Sequence, residues 1–453
     1  MSTENDQQMG PEIPGPELVF GLVGAIGCDL VALFQALESA LHSVGYTSEE
    51  VHLSDLLRET VVWKDVEQQG LDKEIEHKQR LGNLLREKSG CVDALAICGI
   101  RDIRRKRCPR TGGEEKPRPR HAFIIRQLKN PTEVECLRRV YGQGFFLIGL
   151  YSPKNHRIAR LKQDIRADQF SVDDREAERR ANDLVERDEN EEGPYGQHTR
   201  DTFPEADLFV TDETLELLKR DVERFVELIF GHPFRNPSRA EYLMVQATAA
   251  ALLSSDMGRQ VGAVIASIDG DVVAVGTNEV PRVTGGLTRD GDSPDRRDIK
   301  EFKRDPSIQH KKDLVKDLLE VLQKHLRMET DSVEDLSRLV ESGVMKSKLM
   351  GIQEFGRQVH AEMAALLDAA MRGVAVKGNV IYVTTFPCHN CAKHIIAAGL
   401  RAVVFLEPEL PQRWSQAFGQ IFRVCKWSLC RWRVIHGAAR ASLATNANAR
   451  HGG

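Results

Sequence analysis

Unalternating apolar runs and helical stripes follow one another along this chain, the pattern of sheets buried on both faces with helices packed against them. Glu17 to Gly24 is an apolar run entering a glycine-rich turn, and Asp29 to Leu41 then reads as a helix. Ala94–Asp102 and Phe145–Leu150 are two more apolar runs, expected as buried parallel strands, and a helical pattern from Pro131 to Tyr141 precedes the second. Strand–helix alternation of this kind predicts a doubly wound α/β domain over residues 17–230, behind a polar leader at 1–16. Two prolines between Gly231 and Pro237 mark a break. Beyond it a helix begins at Ser238, a plausible N-cap, and runs to Ser255, and strands at 260–268 and 272–275 meet at Asp269-Gly270, a two-residue hairpin signal. A helix over 360–371, a β-branched strand from Val380 to Thr385 and a helix from Cys391 to Ala398 complete a second α/β domain at 236–410. An insertion at 285–355 carries Leu314, Val315, Leu318, Leu319, Leu322 and Leu326 on one helical face, expected to pack in a core, and Ser332–Asp335 looks like another helix start.

The chemistry is concentrated between His360 and Cys391. His360-Ala-Glu362 and Pro387-Cys388-His-Asn-Cys391 supply three nitrogen and sulfur ligands with a carboxylate beside the first. Zinc is bound tetrahedrally by such groups, and a catalytic site keeps three protein ligands and leaves the fourth position for water. Zinc-bound water loses its proton near neutral pH, and Glu362 stands where a proton shuttle is needed. The pattern is the His-x-Glu…Pro-Cys-x-x-Cys signature of zinc deaminases, in which the glutamate is the general acid/base and no ligand. The competing reading is a closed structural knuckle with a fourth ligand from Cys425, Cys430, His389 or His394, and a closed site has no use for Glu362.

The glycine-rich turn Gly21-Leu-Val-Gly24-Ala-Ile-Gly27-Cys28-Asp29 has the strand–loop–helix order of a phosphate loop. Gly21, Gly24 and Gly27 are its candidate nucleotide-binding residues, but Cys28-Asp29 stand where a working loop has lysine and a hydroxyl residue. Phosphoryl transfer is therefore not expected, and nucleotide sensing or scaffolding is. Nine Lys and Arg against three acids between Arg101 and Arg120 make either a solvated loop or a contact for phosphates or RNA, and Arg175–Arg200 reads as a charged, lid-like stretch.

Composition narrows the classes. A net charge of -4 and 6% aromatic residues argue against a general nucleic-acid binder or an editor of tRNA or single-stranded DNA. Nine scattered Cys with no disulfide framework, a leader without a secretory pattern and no membrane-length apolar run point to the cytoplasm and away from a membrane. Residues 411–453 differ in character, with seven basic residues and no acids, and read as a divergent basic tail.

Arg-Gln-Val-Gly-Ala-Val-Ile, then Gly276-x-Asn278-x-x-Pro281, His-Ala-Glu and Pro-Cys-x-x-Cys-Ala-Lys resemble the deoxycytidylate deaminase family. With the degenerate phosphate-loop domain in front, residues 17–408 resemble the bacterial two-domain antiphage deoxycytidylate deaminases. The resemblance implies an N-terminal P-loop kinase-like domain, a C-terminal three-layer α/β/α cytidine-deaminase-like domain and Zn2+ held by His360, Cys388 and Cys391. It implies Glu362 as proton shuttle, Asn278 as substrate-binding residue, and backbone donors to the base near Ala361 and Cys388. The implied activity is deamination of dCTP and dCMP to uracil nucleotides during phage infection. An allosteric nucleotide effector, a small inhibitory RNA and a homo-oligomer go with it. A housekeeping deaminase of pyrimidine salvage and a catalytically silent nucleotide sensor are the alternatives.

Overall fold

The computed structural model describes residues 15–62, 70–107, 116–169, 172–189, 198–326, 355–406 and 422–424. They fall into two compact units, and the chain passes from one to the other between Pro237 and Ser238. The leader to residue 14, Ser332–Asp335 and all of the 411–453 tail except 422–424 lie outside the described residues.

The N-terminal unit runs β1 (Leu18–Gly24), α1 (Leu30–Ser43), β2 (Thr47–His52), α2 (Leu53–Leu56), α3 (Leu71–Ser89), α4 (Ala94–Arg107), β3 (His121–Arg126), α5 (Pro131–Tyr141), β4 (Phe145–Tyr151), α6 (Lys154–Asp168), α7 (Asp174–Glu189), α8 (Thr199–Thr202), β5 (Leu208–Thr211) and α9 (Leu215–Ile229). Its five strands are all parallel in the order β2-β3-β1-β4-β5. Every residue of β1 is buried, because both faces are covered. Val19 and Val23 look toward Leu95, Ile103, Val134 and Leu137 of α4 and α5. Phe20, one residue out of phase, stacks on Phe146, which meets Phe225 of α9 edge-on. Asn130 and Glu133 form a capping box that starts α5, with Pro131 in the first turn. Glu133 also receives Arg86 at 2.8 Å, a fully buried pair.

One expectation fails in this unit. Ala94–Asp102 is not a strand but the first turns of α4, and its buried residues Leu95, Ala96, Gly99, Asp102 and Ile103 recur at helical spacing. A short apolar run cannot by itself distinguish a buried strand from a buried helix, and here the run continues into Arg104–Arg107 without a break. The charged stretch from Arg175 is described as far as residue 189, where it is helical. In α7, Ala177, Ala181, Leu184 and Val185 form a core with Leu161 and Ile165 of α6. The basic stretch after Arg101 is largely neutralised within the unit: Arg105 pairs with Glu59 and Asp102, Lys106 with Asp102, Arg107 with Glu17 and Arg118 with Glu49.

The C-terminal unit continues with α10 (Arg239–Ala251), β6 (Gly262–Ala266), β7 (Val272–Thr277), α11 (Asp298–Glu301), α12 (Pro306–Leu326), α13 (Ala361–Met371), β8 (Val380–Val383), α14 (His389–Ala397), β9 (Ala402–Phe405) and β10 (Phe422–Val424). Its sheet has the order β10-β9-β8-β6-β7, antiparallel at β7-β6-β8 and parallel at β8-β9-β10. Alternation along β6 builds three layers: Ala263 and Ile265 face α13 and α14, whereas Val264 and Ala266 face Leu243, Met244 and Ala247 of α10. Ser238 and Glu241 close a capping box on α10, and Gly270 supplies the positive φ, 96°, that the β6–β7 hairpin needs. Of the stripe expected on α12, Leu319, Leu322 and Leu326 lie outside the described side chains. Val315 is buried, but Leu314 and Leu318 are exposed. No helix among the described residues is long and apolar enough to cross a membrane.

Two glycines let helices lie directly on this sheet. A Cβ on Gly276 would stand 2.1 Å from the Ala361 carbonyl oxygen, and one on Gly262 would stand 1.8 Å from that of Ala247. Both obstacles are backbone and cannot rotate away. Gly276→Ala is therefore expected to destabilise the C-terminal unit by ~1–3 kcal/mol or more and to lower its metal retention. Thermal unfolding with metal analysis of the purified variant checks this; an unchanged midpoint would contradict the close packing.

Candidate active site

Two helices begin at the site. His360 is the N-cap residue of α13 and Cys388 that of α14, both in extended conformation, and neither side chain caps its own helix. An N-cap side chain ordinarily turns back to the first-turn amides. Here the imidazole and the thiol are left for another partner. Cys391 lies one turn into α14, so it shares the N-terminal end with Cys388. His360 Nδ1 is 3.4 Å from the Sγ atoms of both Cys388 and Cys391, and the three ligand atoms lie within 4.8 Å of one another. Tetrahedral zinc with ordinary Zn–N and Zn–S bonds separates such atoms by roughly 3.6 Å. The cluster fits a zinc ion in donor type and in spacing. Among the described residues it has three members; His389 and His394 are not in it, and Cys425 and Cys430 lie outside the described residues.

The electrostatics favour ligation. Hydrogen bonding from the Cys391 side chain, opposed by burial, lowers the pKa of Cys388, while the same contact and burial raise that of Cys391. The downward direction at Cys388 favours a thiolate there, at a helix N-terminus that favours negative charge. His360 is raised, first by its hydrogen bond to Cys388. Glu362 follows in the first turn of α13, 3% exposed, and burial raises its carboxyl above the ordinary range, with the Cys391 side chain as a hydrogen-bonding neighbour. The four residues predicted from the sequence come together in one place.

Asn278 sits at the end of β7, buried, with its amide fully engaged. Its Oδ1 accepts from Val261 N at 2.7 Å, and its Nδ2 donates to Asp256 at 3.0 Å and to the Arg259 carbonyl at 2.8 Å. In this state it braces the 256–261 loop. Two residues that the sequence reading missed belong to the same region. Glu279 is fully buried and accepts from the amide and hydroxyl of Ser255 and from Val280 N. Asp256 receives Asn278 and is close enough to His360 to raise its pKa. Neither has a spacing motif of its own; adjacency to Asn278 is the sole clue for Glu279.

The three glycines of the N-terminal loop do different work. Gly21 is inside β1, where a Cβ would strike Leu128, Phe145 and Leu147, so it is a packing residue. Gly24 ends β1, and Gly27 has φ +85° with Arg157 backbone 2.7 Å from its would-be Cβ. The loop amides are taken by carboxylates of the chain itself. Ile26 N donates to Asp188 at 2.8 Å and Asp29 N to Asp212 at 3.2 Å. Lys129 pairs with Asp188 at 2.7 Å and Arg160 with Asp212 at 2.9 Å. Asp29 itself caps α1 through Ala32 N, and burial pushes the Cys28 thiol up to about 12. A phosphate at this loop must displace two ion-paired carboxylates.

Residues 237–407 match the family described as the cytidine and deoxycytidylate deaminase zinc-binding region. That match lies almost wholly in the C-terminal unit and includes His360, Glu362, Cys388 and Cys391. Among curated proteins this chain is 47% identical to ComE operon protein 2 of Bacillus subtilis over 60 residues, 13% of the chain and 32% of that protein. It is 42% identical to the deoxycytidylate deaminase of Enterobacteria phage T4 over 50 residues, 11% of the chain and 26% of the phage enzyme. The chain thus spans about a third or less of the length of these two relatives. A UPF0200 protein of Methanosarcina barkeri is 26% identical over 189 residues, 42% of the chain and 84% of that protein. Among solved structures, the dCMP deaminase of cyanophage S-TIM5 is 18% identical with a TM-score of 0.24, covering 42% of this chain and 99% of its own. A shikimate kinase of Bacteroides thetaiotaomicron is 11% identical with a TM-score of 0.28, covering 47% and 98%.

Cys391→Ser is expected to strip zinc to well below equimolar content, since one of the three clustered donors is lost; metal analysis after gel filtration reads this. For the N-terminal loop, Mg-ATP is expected to leave the thermal midpoint of the wild-type chain unchanged, because ligands that bind the native state raise it. A concentration-dependent rise would show that the carboxylates yield.

Proposed function

We propose that this protein hydrolytically deaminates deoxycytidine nucleotides, dCMP and dCTP, to dUMP and dUTP. The observation that carries the reading is the three-ligand His360, Cys388, Cys391 cluster with a buried carboxyl, Glu362, against it. A structural knuckle would satisfy itself with ligands and leave no reason to bury an acid beside them.

His360, Cys388 and Cys391 would hold the zinc, which supplies a water acidic enough to react near neutral pH. Glu362 would take a proton from the attacking water as its oxygen adds to C4 of cytosine, and would pass that proton to N3. It then carries the remaining proton to the exocyclic nitrogen as the C4–N bond breaks, so that water and the cytosine base become uracil and ammonia. Its place in the first turn of α13 keeps it within one helical turn of His360. Burial keeps bulk water from competing for its proton. Asn278 shapes the sugar side. With its amide tied to Val261, Asp256 and Arg259 it presents a fixed wall, and a bound nucleoside would exchange into those hydrogen bonds.

The N-terminal unit acts in this reading as a scaffold or sensor rather than a kinase, since carboxylates stand at its loop amides. Depletion of deoxycytidine nucleotides during phage infection follows from the resemblance to antiphage deaminases. An allosteric nucleotide, a small inhibitory RNA and self-association are parts of the same proposal.

Incubation of the zinc-loaded chain with dCMP, dCTP, CMP and CTP tests the reaction. Uracil products are expected from the deoxy substrates. Glu362→Ala should keep its zinc and lose ~10²–10⁴-fold in kcat. Zinc retention with no turnover of any cytosine nucleotide would refute the deaminase reading.

A further inference from the structure

The three metal donors are not all held in the same way. Cys388 and Cys391 belong to α14, which connects the paired strands β8 and β9. His360 has α13 on its C-terminal side, seated on Gly276 of β7. On its N-terminal side the chain arrives from the insertion, and residues 357–359 lie in no helix or named strand. Val359 is fixed through its backbone: its N–H donates to the Glu279 carbonyl at 3.0 Å, and its own carbonyl accepts from Glu279 N at 3.3 Å.

Arg357 and Gln358 are held through their side chains, and one carboxylate takes both. Asp298 opens α11 and is 3% exposed. Its Oδ1 accepts from Arg357 Nη1 at 2.9 Å, and its Oδ2 accepts from Gln358 Nε2, also at 2.9 Å. Arg357 turns Nη2 to Glu301 at 3.0 Å, and its guanidinium lies over the Phe302 ring, 4.8 Å from the centroid. One short element of the insertion thus grips the two residues that lead into Val359 and His360. A buried carboxylate with both oxygens engaged is costly to separate from its partners, unlike an ion pair at the surface. Burial pushes the Asp298 carboxyl up and Arg357 opposes it, with Asp305, Glu279 and Asp256 as further upward influences. Glu279 is the bridge partner of Val359, so this grip stands beside the approach to the metal donors.

We propose that Asp298 is a positioning residue for the zinc site: by holding Arg357 and Gln358 it fixes the approach to His360, and through it the insertion sets how tightly the site retains its metal. Asp298 is not a member of the donor cluster and acts through its neighbours. A zinc site tolerates displacements of only a few tenths of an ångström, so a loosened approach to one donor of three is felt as lost affinity. The proposal concerns metal retention and goes beyond the deamination reading, which gives the insertion no part.

The test uses the full-length chain and needs no turnover. Zinc affinity is measured by competition with a chelator, the absorption bands of the cobalt(II)-substituted protein report donor geometry, and thermal unfolding of the metal-free protein shows that each variant is folded. Asp298→Ala is expected to weaken zinc binding ~10- to 100-fold, the usual cost of removing a group that orients a metal ligand, and to shift the cobalt bands. In Asp298→Asn part of the affinity should return, because the amide oxygen still accepts from Arg357 and Gln358 can turn its own amide round. Asp298→Ala with Arg357→Ala should lose less than the sum of the single losses, since both act through one contact. Unchanged zinc affinity in folded Asp298→Ala would overturn the assignment. So would a loss with unshifted cobalt bands, or fully additive losses. Gln358→Ala cuts one arm of the grip and leaves the ion pair, and it carries the same expectation at smaller size if Asp298→Ala does not fold. A chain that turns over no cytosine nucleotide but whose zinc affinity depends on Asp298 would refute the deamination reading and leave this one standing.

Discussion

How closely α13 can lie on the sheet governs the rest of the C-terminal unit. The helix carries Glu362 in its first turn and starts at His360, so its height above β7 sets where a ligand and an acid stand. Gly276 permits backbone-to-backbone contact there, and Gly262 does the same for α10 on the opposite face. Any side chain at either position would lift a helix by more than the tolerance of a metal site, whose bonds are fixed to a few tenths of an ångström. The small residues of α13, Ala361, Ala365 and Ala369, complete the same contact from the helix side. Packing that looks merely tight is thus what places the chemistry.

The second determinant is the use of two helix starts. Helix N-termini carry unpaired amides and partial positive charge. At His360 and Cys388 the side chains that would usually quench those amides gather into one three-member cluster with Cys391 instead. The field favours the thiolate that a zinc site needs, and it reaches the two cysteines through one short helix. Burial acts in the opposite sense on Glu362, favouring its neutral form. Thiolate and carboxyl are therefore driven apart in proton affinity within a single site, the condition for one to bind metal while the other moves protons.

The N-terminal unit shows the same kind of site closed from within. Its β1–α1 loop keeps the strand–turn–helix form of an anion cradle, and Asp188 and Asp212 meet its amides with Lys129 and Arg160 as counter-charges. The charge balance resembles that of a bound phosphate with its lysine, but is supplied entirely by the chain. Gly27 retains its positive φ because Arg157 leaves no room for a Cβ, which is a packing constraint rather than a ligand-binding one.

Local pattern alone determined a good part of this protein. The grouping of His360, Glu362, Cys388 and Cys391 was legible because their types recur at short, fixed separations along the chain, and α5, α10 and the β6–β7 hairpin because their caps and turn lie within a few residues. Ala94–Asp102 was misread because burial, not backbone state, makes a run apolar, and only the packing of α4 on α5 and the sheet selects the helix. The exposure of Leu314 and Leu318 was equally hidden, since a stripe says that a face could be covered and not that it is. Asp188 and Asp212 carry no motif. Their meaning comes from which charges fail or manage to find partners across long stretches of chain, and that pairing exists only once the tertiary fold has brought the groups together.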